Sequence, residues 1–250
     1  MNYNRLEKYK LWIDSNDAIQ IAKQKNNAKL LFQFIDDGYC VLPKKIPSAL
    51  IDNTWNSLES ALNTGFDLTC HKEGIGCFSS LNENIMNEIG GRYSVHDFHQ
   101  HSEDLLQIVT NDLLADFLIE AFGKTPILMQ SQMFRLASHK GAHADYVYQP
   151  FDNPVHSITC WIAGEDISEN SGALFFYPRS HHLSPYTFSN GKLLWDGSDK
   201  DLTQMKKYHT ELENICANSG LQKKSFIATK GKYCYLTPNS YMVVLSPHLT

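Results

Sequence analysis

From Thr125-Pro126 onward the chain is cut at short intervals by residues that end strands: Gly141, Asn153-Pro154, Gly164, Ser171-Gly172 and Pro238-Asn239. Such punctuation leaves room only for short strands, and the runs at 127–136, 142–148, 157–163, 173–177, 225–228 and 241–245 fit that length. Short strands are stable when two sheets bury a common face, as in a jelly roll. The first half has a helical texture instead. Apolar residues recur at Ile19, Ala22, Leu30, Leu31, Phe34 and Ile35, with a polar break over 23–27 and Gly38 as the stop. A second helix opens at Pro47-Ser48 and buries Leu50, Ile51, Trp55, Leu58 and Leu62, and a third runs over about 102–122 to Gly123. Between the first two, 39–42 reads as a strand. The expected fold is mainly β with flanking helices: a jelly-roll part over about 126–250, buttressed by a helical part over about 1–125 in one domain. The polar stretch 184–224, with a helix near 201–218, reads as a lid between core strands.

Composition narrows the function. Hydrophobic residues are 42% and charged residues 20%, so the chain is globular, and a net charge of −5 argues against a nucleic-acid binder. No apolar run approaches the roughly 18 residues of a membrane span, and MNYNRLEKYK lacks the apolar core of a signal peptide. Six cysteines without a CxxC pair read as reduced thiols, which places the chain in the cytoplasm. Oligomeric state leaves no mark.

The sharpest chemical signal is Gly141-Ala-His143-Ala-Asp145-Tyr146. Residues two apart on a strand share a face, so His143 and Asp145 present an imidazole and a carboxylate side by side. That is two-thirds of the facial triad of non-haem iron(II) enzymes. The spacing alone is equally met by a surface strand with a polar pair. Downstream stands Trp161-Ile-Ala-Gly-Glu-Asp166, then Glu169-Asn-Ser-Gly172 and Pro178-Arg-Ser-His181, and upstream stands Gln132-Met-Phe-Arg135. With the opening Asp37-Gly-Tyr-Cys-Val-Leu-Pro43, these segments resemble the phytanoyl-CoA dioxygenase-like family of Fe(II)/2-oxoglutarate-dependent oxygenases. The likeness runs from about residue 30 to the end. Two positions depart from the pattern: Arg179 stands where the family favours glycine, and Gly164 where a large apolar residue is common.

The resemblance implies a double-stranded β-helix in which His143 and Asp145 bind Fe(II) and a late histidine completes the set. The late strand is Val243-Val-Leu245, and the family spacing puts that histidine just after Thr250. The sequence is therefore expected to be cut short at its C-terminus. His248, three positions early, is the only late histidine present. The resemblance also implies 2-oxoglutarate and O2 as co-substrates, succinate as co-product, and hydroxylation of a small organic substrate. An intact Asp145 favours hydroxylation over halogenation, which replaces the carboxylate by a small residue. Arg135 is the candidate partner of the 2-oxoglutarate carboxylate, with Gln132 expected on the same strand face, although a surface arginine fits as well. Trp161 and Tyr146, with Tyr148 and Phe151, are candidate substrate walls, or core and strand aromatics. His96, His99 and His101 lack a fourth ligand at metal spacing and read as hydrogen-bonded histidines. Ser180 and His181 read as closing a turn. The competing functions are an inactive jelly-roll binding module and a cupin-type isomerase that needs no 2-oxoglutarate.

Overall fold

The computed structural model describes residues 11–72, 76–79, 92–136, 141–148, 156–169, 171–188, 191–195, 203–238 and 240–244. In chain order the elements are α1 (Ala18–Ala22), α2 (Ala28–Asp37), β1 (Tyr39–Val41), α3 (Ser48–Asn63), β2 (Thr69–Lys72), β3 (Gly76–Ser79) and β4 (Ser94–His96). There follow α4 (Glu103–Val109), α5 (Asp112–Phe122), β5 (Gln132–Phe134), β6 (Thr159–Ile162), β7 (Leu174–Phe176), α6 (Thr203–Asn218), β8 (Lys224–Phe226), β9 (Tyr233–Leu236) and β10 (Met242–Val244).

Three antiparallel sheets form, ordered β1-β9-β6, β10-β7-β8 and β3-β2-β4-β5. The first two face each other. Alternation along β9 makes this explicit, because Cys234 and Leu236 point between the sheets while Tyr233 and Tyr235 point to the helices. The same alternation sends Tyr39 and Trp161 inward and Cys40, Cys160 and Ile162 outward. Tyr39 meets Phe176 of the opposite sheet at 4.3 Å between ring centroids. On the outer face, Phe34 of α2 and Phe117 of α5 close over Tyr235, and the Tyr235 hydroxyl donates to the Leu114 carbonyl at 2.8 Å. That bond satisfies a phenol that would otherwise be stranded in an apolar layer.

Helix makes up 41% of the structure and strand 18%, so the expectation of a mainly β chain is corrected to a mixed one. The cause is strand length. The runs read as four to ten residues pair over only three or four, and Ala142–Tyr148 becomes a single bridge followed by a 3-10 turn over Asp145–Tyr148. The first half is not purely helical either, since β1 to β4 come from it and β1 enters the core sheet. The third helix divides where Asn111 caps α5 through a bond to the Leu113 amide at 3.0 Å. Among the described residues no helix is long and apolar enough to cross a membrane.

The Pro178-Arg-Ser-His181 segment docks the two halves of the motif set together. Arg179 has φ +69°, the left-handed region that glycine occupies without cost, which accounts for the family's preference there. In this chain its guanidinium bonds both oxygens of Asp36 at 3.0 Å, an exposed pair worth at most about 1 kcal/mol. Ser180 accepts from the Tyr241 amide at 2.8 Å, and His181 donates through Nε2 to the Ile35 carbonyl at 3.0 Å. Gly38 ends α2 at φ +80°, and a Cβ there would overlap the His181 ring and the Ser240 hydroxyl. At the second family departure, Trp55 of α3 fills the space beside Gly164.

Two predictions follow from this joint. Gly38→Ala should lower unfolding free energy by about 2 kcal/mol or more, read from urea denaturation, since left-handed strain and overlap add. Burial, then neighbouring His182, pushes the His181 imidazole down to about 4. The unfolded chain therefore takes up a proton near pH 6.5 that the folded chain refuses until near pH 4. Stability contributed by neutral His181 is complete above pH 6.5 and is lost as pH falls toward 4. Between pH 7 and 4.5 the urea midpoint of His181→Asn should fall less than that of the wild type.

Candidate metal centre

The ligand segment begins with backbone. The amide of His143 donates to the Met242 carbonyl at 2.9 Å, and the Met242 amide returns a bond to the His143 carbonyl at 2.8 Å. This bridge joins the segment to β10 at the edge of the second sheet. After it the chain turns into the Asp145–Tyr148 3-10 helix. His143 is 6% exposed and Ala144 fully buried.

A bond to the backbone orients the imidazole. Its Nδ1 lies 2.8 Å from the Gly141 carbonyl, which can only accept, so Nδ1 carries the proton and Nε2 carries the lone pair. Nε2 lies 3.7 Å from Asp145 Oδ1. That gap is too long for a hydrogen bond but less than twice an ordinary metal–ligand distance of about 2.1 Å, so one ion can reach both atoms. A metal-ligating histidine commonly donates its second ring nitrogen to a carbonyl, and this arrangement is already in place. The donor set, a neutral imidazole and a carboxylate, suits iron(II). The residues present therefore fit the ion.

Asp145 is oriented from the sandwich interior. The Thr159 hydroxyl donates to its Oδ2. Thr159 sits two residues before Trp161 on β6, so both side chains face between the sheets. Trp161 is half-buried there and meets Phe226 edge-to-face at 5.6 Å, which places it along the wall leading from Asp145.

Other sequence candidates separate from the pair. Tyr146 is 1% exposed and packs with Ala142, Tyr208 and Tyr241, so it is core and not an open wall. Tyr148 is the aromatic beside His143, at 5.4 Å between centroids. Gln132 and Arg135, three positions apart, fall on opposite faces, contrary to the shared face expected of them. The Gln132 amide donates to Gln130 at 2.7 Å, whereas Arg135 lines a cavity with Trp55, Glu59, Tyr93 and Met133. Neither His143 nor Asp145 lines that cavity. His248 and Phe151 lie outside the described residues. Among the described residues no three His, Cys, Asp or Glu groups are placed to hold one ion. His99 instead bonds the Ser131 hydroxyl at 2.7 Å and His96 the Ser94 hydroxyl at 2.9 Å.

Sequence reasoning missed Thr159, whose signal was its place two before Trp161 on one strand. It also missed Tyr208 and His209 of α6. The Tyr208 hydroxyl accepts from the Ala144 amide at 2.8 Å, and His209 Nδ1 donates to the Ala142 carbonyl at 2.8 Å. No local pattern marks them, because their register against residue 143 is purely tertiary.

The fold has well-populated relatives. The carbocyclase SnoK of nogalamycin biosynthesis, described as non-haem and α-ketoglutarate dependent, superposes with a TM-score of 0.62 at 13% identity, covering 90% of this chain and 80% of that one. EctD from S. alaskensis with 2-oxoglutarate and 5-hydroxyectoine gives a TM-score of 0.57 at 13% identity, with 98% and 76% covered. AviO1 from Streptomyces viridochromogenes Tue57 gives 0.52 at 13%, with 90% and 89% covered. These likenesses establish the fold. No curated protein matches significantly by sequence. The phytanoyl-CoA dioxygenase family profile, however, matches residues 34–220, which include the ligand segment, β6, β7 and the Arg179 turn. The chain belongs to the phytanoyl-CoA dioxygenase family.

Proposed function

We propose that this protein is an Fe(II)/2-oxoglutarate-dependent oxygenase that hydroxylates a small organic molecule. The observation that carries this reading is the His143–Asp145 pair: an imidazole whose Nδ1 is tied to Gly141, leaving an Nε2 lone pair 3.7 Å from a carboxylate oxygen. Family membership supports iron, 2-oxoglutarate and O2 as the cofactor set. Structural neighbours carrying Fe3+, α-ketoglutarate and nogalamycin RO, or 2-oxoglutarate and 5-hydroxyectoine, support a small-molecule substrate.

When bound, the metal and its co-substrates supply an oxidation coupled to decarboxylation of 2-oxoglutarate to succinate. The chain's own residues do the rest. His143 and Asp145 hold the ion, Gly141 keeps His143 in the tautomer that binds it, and Thr159 keeps Asp145 turned toward His143. Tyr148 flanks His143 with apolar surface, and Trp161 shares the inner face of β6 with Thr159, where it helps keep water from the reacting region. His248 remains the candidate third ligand within this sequence, and Arg135 the candidate carboxylate partner if its cavity opens to the co-substrate. The whole of 1–250 would then act as one oxygenase unit in the cytoplasm.

Anaerobic protein titrated with Fe(II) and 2-oxoglutarate should develop the weak visible charge-transfer band of the chelate, and Asp145→Ala should lose it. A wild type without the band, or an Asp145→Ala variant that keeps it, overturns the reading. Thr159→Val removes only the hydroxyl that orients Asp145, so Fe(II) affinity should fall roughly 10-fold by anaerobic titration while circular dichroism stays unchanged.

A further inference from the structure

Helix α6 lies in the insertion that the sequence presents as a lid, yet it is built into the core. Met205, Tyr208, Leu212 and Cys216 recur at helical spacing and are 0–5% exposed. From this buried face two adjacent side chains reach the backbone on either side of His143. The Tyr208 hydroxyl accepts the Ala144 N–H at 2.8 Å, and His209 Nδ1 donates to the Ala142 carbonyl at 2.8 Å.

The two peptide units that flank the His143 Cα are thereby fully bonded. In the first, the Ala142 carbonyl goes to His209 and the His143 amide to Met242. In the second, the His143 carbonyl goes to Met242 and the Ala144 amide to Tyr208. With both peptide planes pinned on both edges, φ and ψ of His143 have no freedom, and the Cα–Cβ direction of the imidazole is set. Strand β10 supplies half of these bonds and α6 the other half. Gly141 permits the approach: a Cβ there would stand 2.6 Å from Cγ and 2.8 Å from Cβ of His209. Those atoms are the root of the side chain, which cannot swing aside, so α6 sits closer to this loop than a side chain at position 141 would allow.

We propose that α6 is the positioning element of the iron-ligand segment, with Tyr208 and His209 as positioning residues that act through His143. The proposal rests on the reading of His143 and Asp145 as metal ligands. Ligand sites tolerate displacements of only about half an ångström, and loss of a group that orients a ligand typically weakens metal binding 10- to 100-fold.

The test is anaerobic Fe(II) titration of the full chain, with the folded fraction of each variant read by circular dichroism and used to normalise the binding curve. Tyr208→Phe and His209→Leu should each weaken Fe(II) binding about 10-fold and shift the absorption maximum of the Fe(II)–2-oxoglutarate chelate. His209→Asn keeps a donor close to the place of Nδ1 and should restore affinity to within about 3-fold of wild type, a rescue that bulk packing does not predict. Lys207→Ala removes an exposed ion pair with Glu211 on the same helix and should leave both readouts unchanged. Wild-type affinity in Tyr208→Phe and His209→Leu, or equal loss in His209→Asn and His209→Leu, overturns the role of α6. A wild type that takes up no iron overturns the metal reading itself and this proposal with it.

Discussion

The reciprocal pair of hydrogen bonds between His143 and Met242 is the constraint on which the site depends. Each bond alone is worth about 1 kcal/mol net, which is unexceptional. Their importance is positional. They register an irregular segment of short side chains against an edge strand of the second sheet, in which β7 is central and β8 lies beyond. A slip of one residue would turn His143 to the other face of the sheet and leave buried amides without partners.

The two sheets behind that bridge are held apart and aligned by aromatic packing. Tyr39 and Phe176 meet across the gap, while Tyr235 fills the opposite face between Cys40 and Cys160, its register partners on the two neighbouring strands. Burial raises the Cys160 thiol to about 12 and Cys40 and Cys234 above their ordinary range, so these sulfurs behave as small apolar groups and not as nucleophiles. The helical layer from the first half is therefore structural: it dries the outer face of the sheet whose inner face carries Thr159 and Trp161.

Much of this was legible in the sequence, for identifiable reasons. Helices α2 and α3 declare themselves by apolar spacing and by Gly38 and Pro47. The His143–Asp145 pair is legible because two-residue spacing brings side chains together in a strand, yet the backbone that unites them is a bridge followed by a 3-10 turn. The inference about the side chains survives although its premise about the backbone does not. Strand β9, the centre of its sheet, escaped notice because Tyr233-Cys-Tyr-Leu236 is short and buried on both faces, which erases the alternation of polarity that marks a strand. Helix α6 was visible as a helix but not as a support, since nothing in its own sequence records what Tyr208 and His209 touch. Gln132 was placed with Arg135 on one face, whereas Arg135 lies beyond the end of β5 and shares its cavity with Met133.

The bond from Thr159 to Asp145 decides how the carboxylate is presented. A carboxylate can grip a cation with one oxygen or with two. Here Oδ2 is engaged by a hydroxyl from β6, and only Oδ1 is presented toward His143. Asp145 would thus meet an ion through Oδ1, as His143 would through Nε2. One threonine on β6 thereby reaches from the other sheet to decide which carboxylate oxygen faces His143.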